Sequence, residues 1–189
     1  FDQNDIDKVV DPWATDLPAY WPLEESLDDV KEAYRQLTTE DVWKNFEYFL
    51  EQVTPTAEQV GVKLAIHPAD PPWEIFGLPR LVTSESSLAR LLDIVDSPNN
   101  GLTFCTGALG AKADNDLPKM IRRFGERIHF AHCRNVKRTA EQAFHEVAHP
   151  PSYGDVDLVE VMRAFSDIGY TGPMRPDHGR NVWGEVGTP

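Results

Sequence analysis

The 189-residue sequence is 41% hydrophobic and 26% charged, which describes a globular chain long enough for one domain with a real core and excludes a disordered one. A formal net charge of -13 excludes the basic face that nucleic-acid binding needs, although local arginines can still hold a small anion. No apolar run approaches the ~18 residues of a membrane span, no signal peptide is visible, and Cys105 and Cys133 are too few for a disulfide scaffold. The expected setting is the reducing cytoplasm, with neither nucleic acid nor membrane as a partner.

Residues 1–26 are acidic and rich in Pro and Trp, and read as an irregular arm whose aromatics pack on something. Ser26 can cap a short helix over 27–37. Thr38-Thr39-Glu40-Asp41 has the form of a capping box opening a longer helix. In that helix Val42, Phe46, Phe49, Leu50 and Val53 share one face, Pro55 should interrupt it, and Gly61 should end it. A buried strand is expected over 62–67, followed by a loop stiffened by Pro68, Pro71 and Pro72. Ser84 caps a helix carrying Leu88, Leu91, Leu92 and Val95. After a turn at 96–101 a second strand runs over 102–105, then a small-residue loop over 106–111 and a helix over 116–124. The third strand spans 128–133. Residues 134–154, with His145, Glu146 and His149, read as irregular. Asp155 or Asp157 caps a helix through Ile168, Gly169 ends it, and a short strand begins at Met174.

Strands alternating with helices imply a parallel sheet joined by right-handed crossovers. In such sheets ligands sit at the carboxyl ends of the strands. There stand His67, Cys105, His132 and Asp177, one per strand. Two imidazoles, a thiolate and a carboxylate suit a divalent transition metal of borderline softness, with Zn2+, Mn2+, Fe2+ and Co2+ all open. Their spacing is too wide for a zinc finger, so the site should be catalytic. Arg134, Arg175 and Arg180 flank these residues and could pair with an acid substrate. His178, next to Asp177, suits proton transfer near neutral pH. His129 reads as structural. These parts would serve a sugar-acid dehydratase, in which a metal and an arginine hold the carboxylate while a protonated imidazole helps the β-hydroxyl leave. They would also serve an aldose–ketose isomerase or a metal-dependent hydrolase, or a non-catalytic chain that binds sugar acids.

At these residues the chain resembles the mannonate dehydratase family. The likeness rests on Ala65–Trp73 with Ile75–Arg80, Phe104–Gly107 with Leu109–Ala111, Arg127–Asn135 and Met174–Arg180. It implies a xylose-isomerase-like (β/α)8 TIM barrel of which this chain holds the C-terminal half, residues 59–189, after a helical insertion or arm over residues 1–58. It implies dehydration of D-mannonate to 2-dehydro-3-deoxy-D-gluconate with Mn2+ or Fe2+ in hexuronate catabolism, by a homo-oligomer. On this likeness His67, Cys105, His132 and Asp177 are the metal ligands and His178, with Asp177, is catalytic. Arg134, Arg180, Arg175 and Asn135 lie by the substrate. The likeness also leads one to expect earlier barrel strands before Phe1 and a further catalytic tyrosine beyond Pro189. Ala108 and Ala69 depart from the family pattern, where a serine and a more polar residue are expected.

Overall fold

A computed structural model describes residue 4 and residues 27–177. Residues 1–26 of the expected arm, apart from residue 4, and the expected site residues His178 and Arg180 lie outside the described residues.

Helix α1 (Leu27–Tyr34) leads into α2 (Thr39–Val60). The capping box forms as the sequence indicates: Asp41 N–H donates to Thr38 Oγ1 at 3.2 Å and Thr38 N–H donates back to Asp41 Oδ2 at 3.0 Å. Gly61 ends the helix in the left-handed region, φ 69°. Pro55 does not interrupt α2 as expected. It and Glu51, whose carbonyl it leaves without an intrahelical donor, both face solvent, where water can satisfy that carbonyl. Trp43 and Leu50 of α2 belong to the same apolar core as Leu88 and Leu91 of α3 (Glu85–Ile94), and Arg90 stacks over Trp43 at 4.4 Å. Residue 58 therefore falls within a helix already committed to that core.

Strands β1 (Leu64–Ile66), β2 (Asn100–Cys105), β3 (Ile128–His132) and β6 (Met174–Arg175) form one parallel sheet in the order β1-β2-β3-β6. An open doubly wound sheet reverses its strand order at a switch point. Here the order runs one way, as in an arc of a β/α barrel. Among the described residues the outer sides of β1 and β6 carry no partner strand. Central β2 is buried throughout. Its Leu102 and Phe104 enter the helical layer, where Phe104 meets Phe165 edge-on at 6.2 Å. Alternation turns Thr103 and Cys105 to the opposite face, and Thr103 Oγ1 donates to Ala65 O of β1 at 2.9 Å.

Helix α4 (Thr106–Gly110) replaces the expected small-residue loop, and α5 (Leu117–Phe124) follows with Asp116 as its cap. Of the two candidate caps for α6 (Leu158–Asp167), Asp157 serves, accepting from Val159 and Glu160 N–H. The stretch read as irregular is in part a β-hairpin, β4 (Asn135–Ala140) with β5 (Ala143–Val147). Its turn, Glu141-Gln142, lacks the Gly or Asn that marks such turns, and Gln142 takes φ 55° instead. No helix among the described residues is long and apolar enough to cross a membrane.

Gly101 of β2 has no room for a side chain against His129 of β3 and the Arg127 carbonyl. A Cβ there would lie 2.3 Å from His129 Cε1 and 2.4 Å from the Arg127 carbonyl oxygen. Since the backbone cannot yield cheaply, Gly101→Ala is expected to destabilise the fold by ~1–3 kcal/mol, read as a lower urea midpoint at unchanged slope.

Candidate metal centre

Each strand delivers one side chain to the same end of the sheet. His67 directly follows β1. Its Nδ1 lies 2.6 Å from the Pro68 carbonyl, which can only accept, so the tautomer with the proton on Nδ1 and the lone pair on Nε2 fits this contact. Cys105 is the last residue of β2 and is wholly buried. Its sulfur accepts from Ala108 N–H at 3.4 Å and so caps α4. Burial pushes the thiol up to about 12, against the opposing pull of the Arg134 charge and the Ala108 N–H.

His132 ends β3, in register with Cys105. Its ring lies 5.2 Å from that of His67 and edge-on to Phe130 at 5.0 Å. Burial holds its pKa below the ordinary histidine value even though Asp177 favours its charge. Asp177 stands just beyond β6 with φ 78°, and Arg175 Nε donates to its backbone carbonyl at 2.8 Å. The Asp177 carboxylate turns inward, Oδ1 3.2 Å from His132 Nδ1 and Oδ2 3.7 Å from Cys105 Sγ.

These residues fit a divalent cation. Ligand atoms of His67, Cys105 and His132 all lie within 4.8 Å of one another, and Asp177 borders two of them. His132 Nδ1 is buried and, although in ion-pair range of Asp177, makes no hydrogen bond. A buried lone pair of that kind costs stability unless something fills it. Two nitrogens, a sulfur and an oxygen aimed at one space suit an ion of borderline softness better than a hard, all-oxygen cation.

The other expected residues fall close by, with different engagements. Arg134, just past β3, has a side chain only 7% exposed. It is ion-paired to Asp70, to Glu146 at 2.6 Å and to Asp177 at 3.4 Å. Burial works against its charge, but Asp70, Cys105 and Glu146 outweigh that and raise its pKa above the ordinary arginine value. Asn135 is buried. Its amide donates towards the carbonyls of Ala148, His149 and Pro150 and accepts from Val156 N–H, which fastens the segment after the hairpin. His129 sits against the Leu64 carbonyl, a structural position as expected. His149 Nε2 lies 3.0 Å from the Cys133 carbonyl. A groove lined by Lys63, Arg127, His129 and Tyr170 opens at the other end of the strands and touches none of the four candidate ligands.

Sequence reasoning missed Asp70 and Glu146. Asp70 was legible only as part of a proline-stiffened loop, and Glu146 lies on the unforeseen hairpin, so nothing in the sequence paired either with Arg134.

The whole chain, residues 1–189, matches the family model described as D-mannonate dehydratase (UxuA). It is 55% identical over 167 residues to mannonate dehydratase 2 of Halalkalibacterium halodurans, covering 87% of this chain and 48% of that protein. It is 54% identical over 176 residues to the mannonate dehydratase of Thermotoga petrophila, covering 92% of this chain and 49% of that protein. The chain thus spans about half the length of the curated relatives it matches. The crystal structure of mannonate dehydratase from Streptococcus suis superposes with a TM-score of 0.82 at 41% identity, over 93% of this chain and 51% of the other. A xylose isomerase domain protein from Planctomyces limnophilus aligns at TM-score 0.55 and 18% identity, over 71% of this chain and 44% of the other, a likeness of fold alone. With the arc of parallel strands and the motifs at their ends, the match over the full chain shows that this chain belongs to the D-mannonate dehydratase family.

Proposed function

We propose that this chain forms the metal-bearing part of a D-mannonate dehydratase, with His67, Cys105, His132 and Asp177 as ligands to Mn2+ or Fe2+. The convergence of those four side chains at the carboxyl ends of four adjacent parallel strands is the observation that carries this reading. When bound, the ion supplies a Lewis acid for the substrate's oxygens.

The chain's own residues supply the rest. Elimination passes the proton beside the carboxylate to a general base and breaks the C–O bond of the neighbouring hydroxyl, which leaves as water, and the enol left behind tautomerises to 2-dehydro-3-deoxy-D-gluconate. His178 is assigned the proton that lets the hydroxyl depart as water, since an imidazole can hold or release a proton at neutral pH. Arg175 and Arg180 are assigned to the substrate carboxylate, with Arg134 beside them at the base of the site. Arg175 also braces the Asp177 backbone through its carbonyl, which keeps the inward carboxylate in place. Asn135 is assigned to the wall of the site, where its amide fastens residues 148–150. The same reading takes residues 1–58 as a helical insertion or arm and residues 59–189 as the half-barrel that carries the metal site. The same reading makes the enzyme cytoplasmic and self-associating, acting on a free sugar acid with no nucleic-acid or membrane partner. The isomerase alternative is not favoured, given the dehydratase family match.

The test is release of 2-dehydro-3-deoxy-D-gluconate from D-mannonate by the protein after chelation. Turnover restored by Mn2+ or Fe2+ is expected. Turnover unaffected by chelation, or none with either ion, would count against the reading.

A further inference from the structure

We propose that Asp70 and Glu146 are positioning residues for the metal centre, acting through the buried guanidinium of Arg134; the inference rests on the metal reading above. One cation is tied to the segments that follow all four strands of the arc. Arg134 Nη2 donates to Asp70 in the loop after β1. Its Nη1 donates to Glu146 Oε1 on β5 at 2.6 Å. Its Nε lies 3.4 Å from Asp177 Oδ2, beyond β6. The link to the segment after β2 is through the backbone: Arg134 N–H donates to Thr106 Oγ1 at 2.9 Å, and that hydroxyl donates to the Arg134 carbonyl at 2.7 Å. The guanidinium also rests on Gly107, where a Cβ would stand 2.0 Å from Nε and 2.8 Å from Cζ.

Guanidinium donors form a rigid planar fork. With both outer nitrogens held by carboxylates and the backbone pinned by Thr106, the direction of the Nε edge is set. That edge faces Asp177 Oδ2, while Oδ1 faces His132 Nδ1. Loss of Asp70 or Glu146 removes one anchor of the fork and lets the released nitrogen compete for Asp177, drawing the carboxylate away from His132. The carboxylate pair therefore decides whether Asp177 is shared with the candidate ligands or captured by arginine.

The probe is Mn2+ alone, titrated calorimetrically into protein freed of metal, with thermal unfolding of the same samples to correct for the folded fraction. Asp70→Asn and Glu146→Gln are each expected to weaken Mn2+ binding by ~10–100-fold, the usual effect of losing a partner that orients a ligand. Their double variant should lose less than the product of the two, because both act through one guanidinium. Arg134→Lys keeps the charge but not the fork, and should lose affinity as the neutral variants do. If a neutral variant does not fold, Glu146→Asp keeps the charge with a shorter reach and should still weaken binding by ~10-fold. Affinity within about threefold of the unaltered protein in the folded carboxylate variants, or full affinity in Arg134→Lys, would overturn the proposal while leaving the metal reading standing. Absence of Mn2+ binding by the unaltered protein would overturn both.

Discussion

Cys105→Ala is expected to weaken Mn2+ binding by more than about a hundredfold, beyond the ~10–100-fold typical of losing a partner that only orients a ligand. Cys105 is wholly buried at the end of β2, in register with His132 and 3.7 Å from Asp177 Oδ2. No other described side chain stands where its sulfur does. The substitution should cost the fold much less than it costs binding, since alanine keeps the small apolar volume and loses one weak contact to Ala108 N–H. Cys133→Ala is the matched control. That thiol is also buried, but it is not among the side chains that converge, so Mn2+ affinity should hold. Isothermal titration of both variants checks the pair. Equal retention by the two would remove Cys105 from the site.

The second large effect is in pH. Burial raises the Cys105 thiol to about 12 in the metal-free protein, so it is protonated throughout the neutral range. A thiol binds a cation only as thiolate, so binding must expel one proton. Raising the pH lowers the proton concentration, and apparent affinity rises ~10-fold per pH unit. From pH 6.5 to 8.5 the gain should be about a hundredfold. Burial holds the His132 pKa below the ordinary histidine value, which reduces its own share of this slope. Mn2+ titrations at constant ionic strength across that range provide the check. Cys105→Ser should flatten the profile, and a flat profile in the unaltered protein would exclude a thiolate ligand.

Much of this architecture is legible in the sequence for local reasons. Thr38, Ser84, Asp116 and Asp157 all cap helices, because a short polar side chain before an apolar period has few other uses. The strands ending at Cys105 and His132 could be placed because each is a short apolar run closing on one polar residue, and His67 follows a shorter run in the same way. What stayed hidden depends on pairing across long separations. Asp70 and Arg134 are 64 residues apart and meet only because β1 and β3 flank β2. Glu146 lies on a hairpin whose Glu141-Gln142 turn carries no glycine or asparagine signal. Pro55 misleads for a different reason: helix propensity says nothing of whether the orphaned carbonyl faces water. The small residues after Cys105 read as a loop, yet they fold as α4 because the cysteine sulfur itself caps the turn and Gly107 makes room for the Arg134 guanidinium.

The most direct measurement of the central claim, one metal site built from four strand ends, is the absorption spectrum of the protein titrated with Co2+. A thiolate ligand gives Co2+ an intense near-ultraviolet charge-transfer band that nitrogen and oxygen ligands do not. The band is expected to grow to saturation at one equivalent of Co2+, to persist in Cys133→Ala and to be absent in Cys105→Ala. A spectrum without the band, or one that survives loss of Cys105, would contradict the claim.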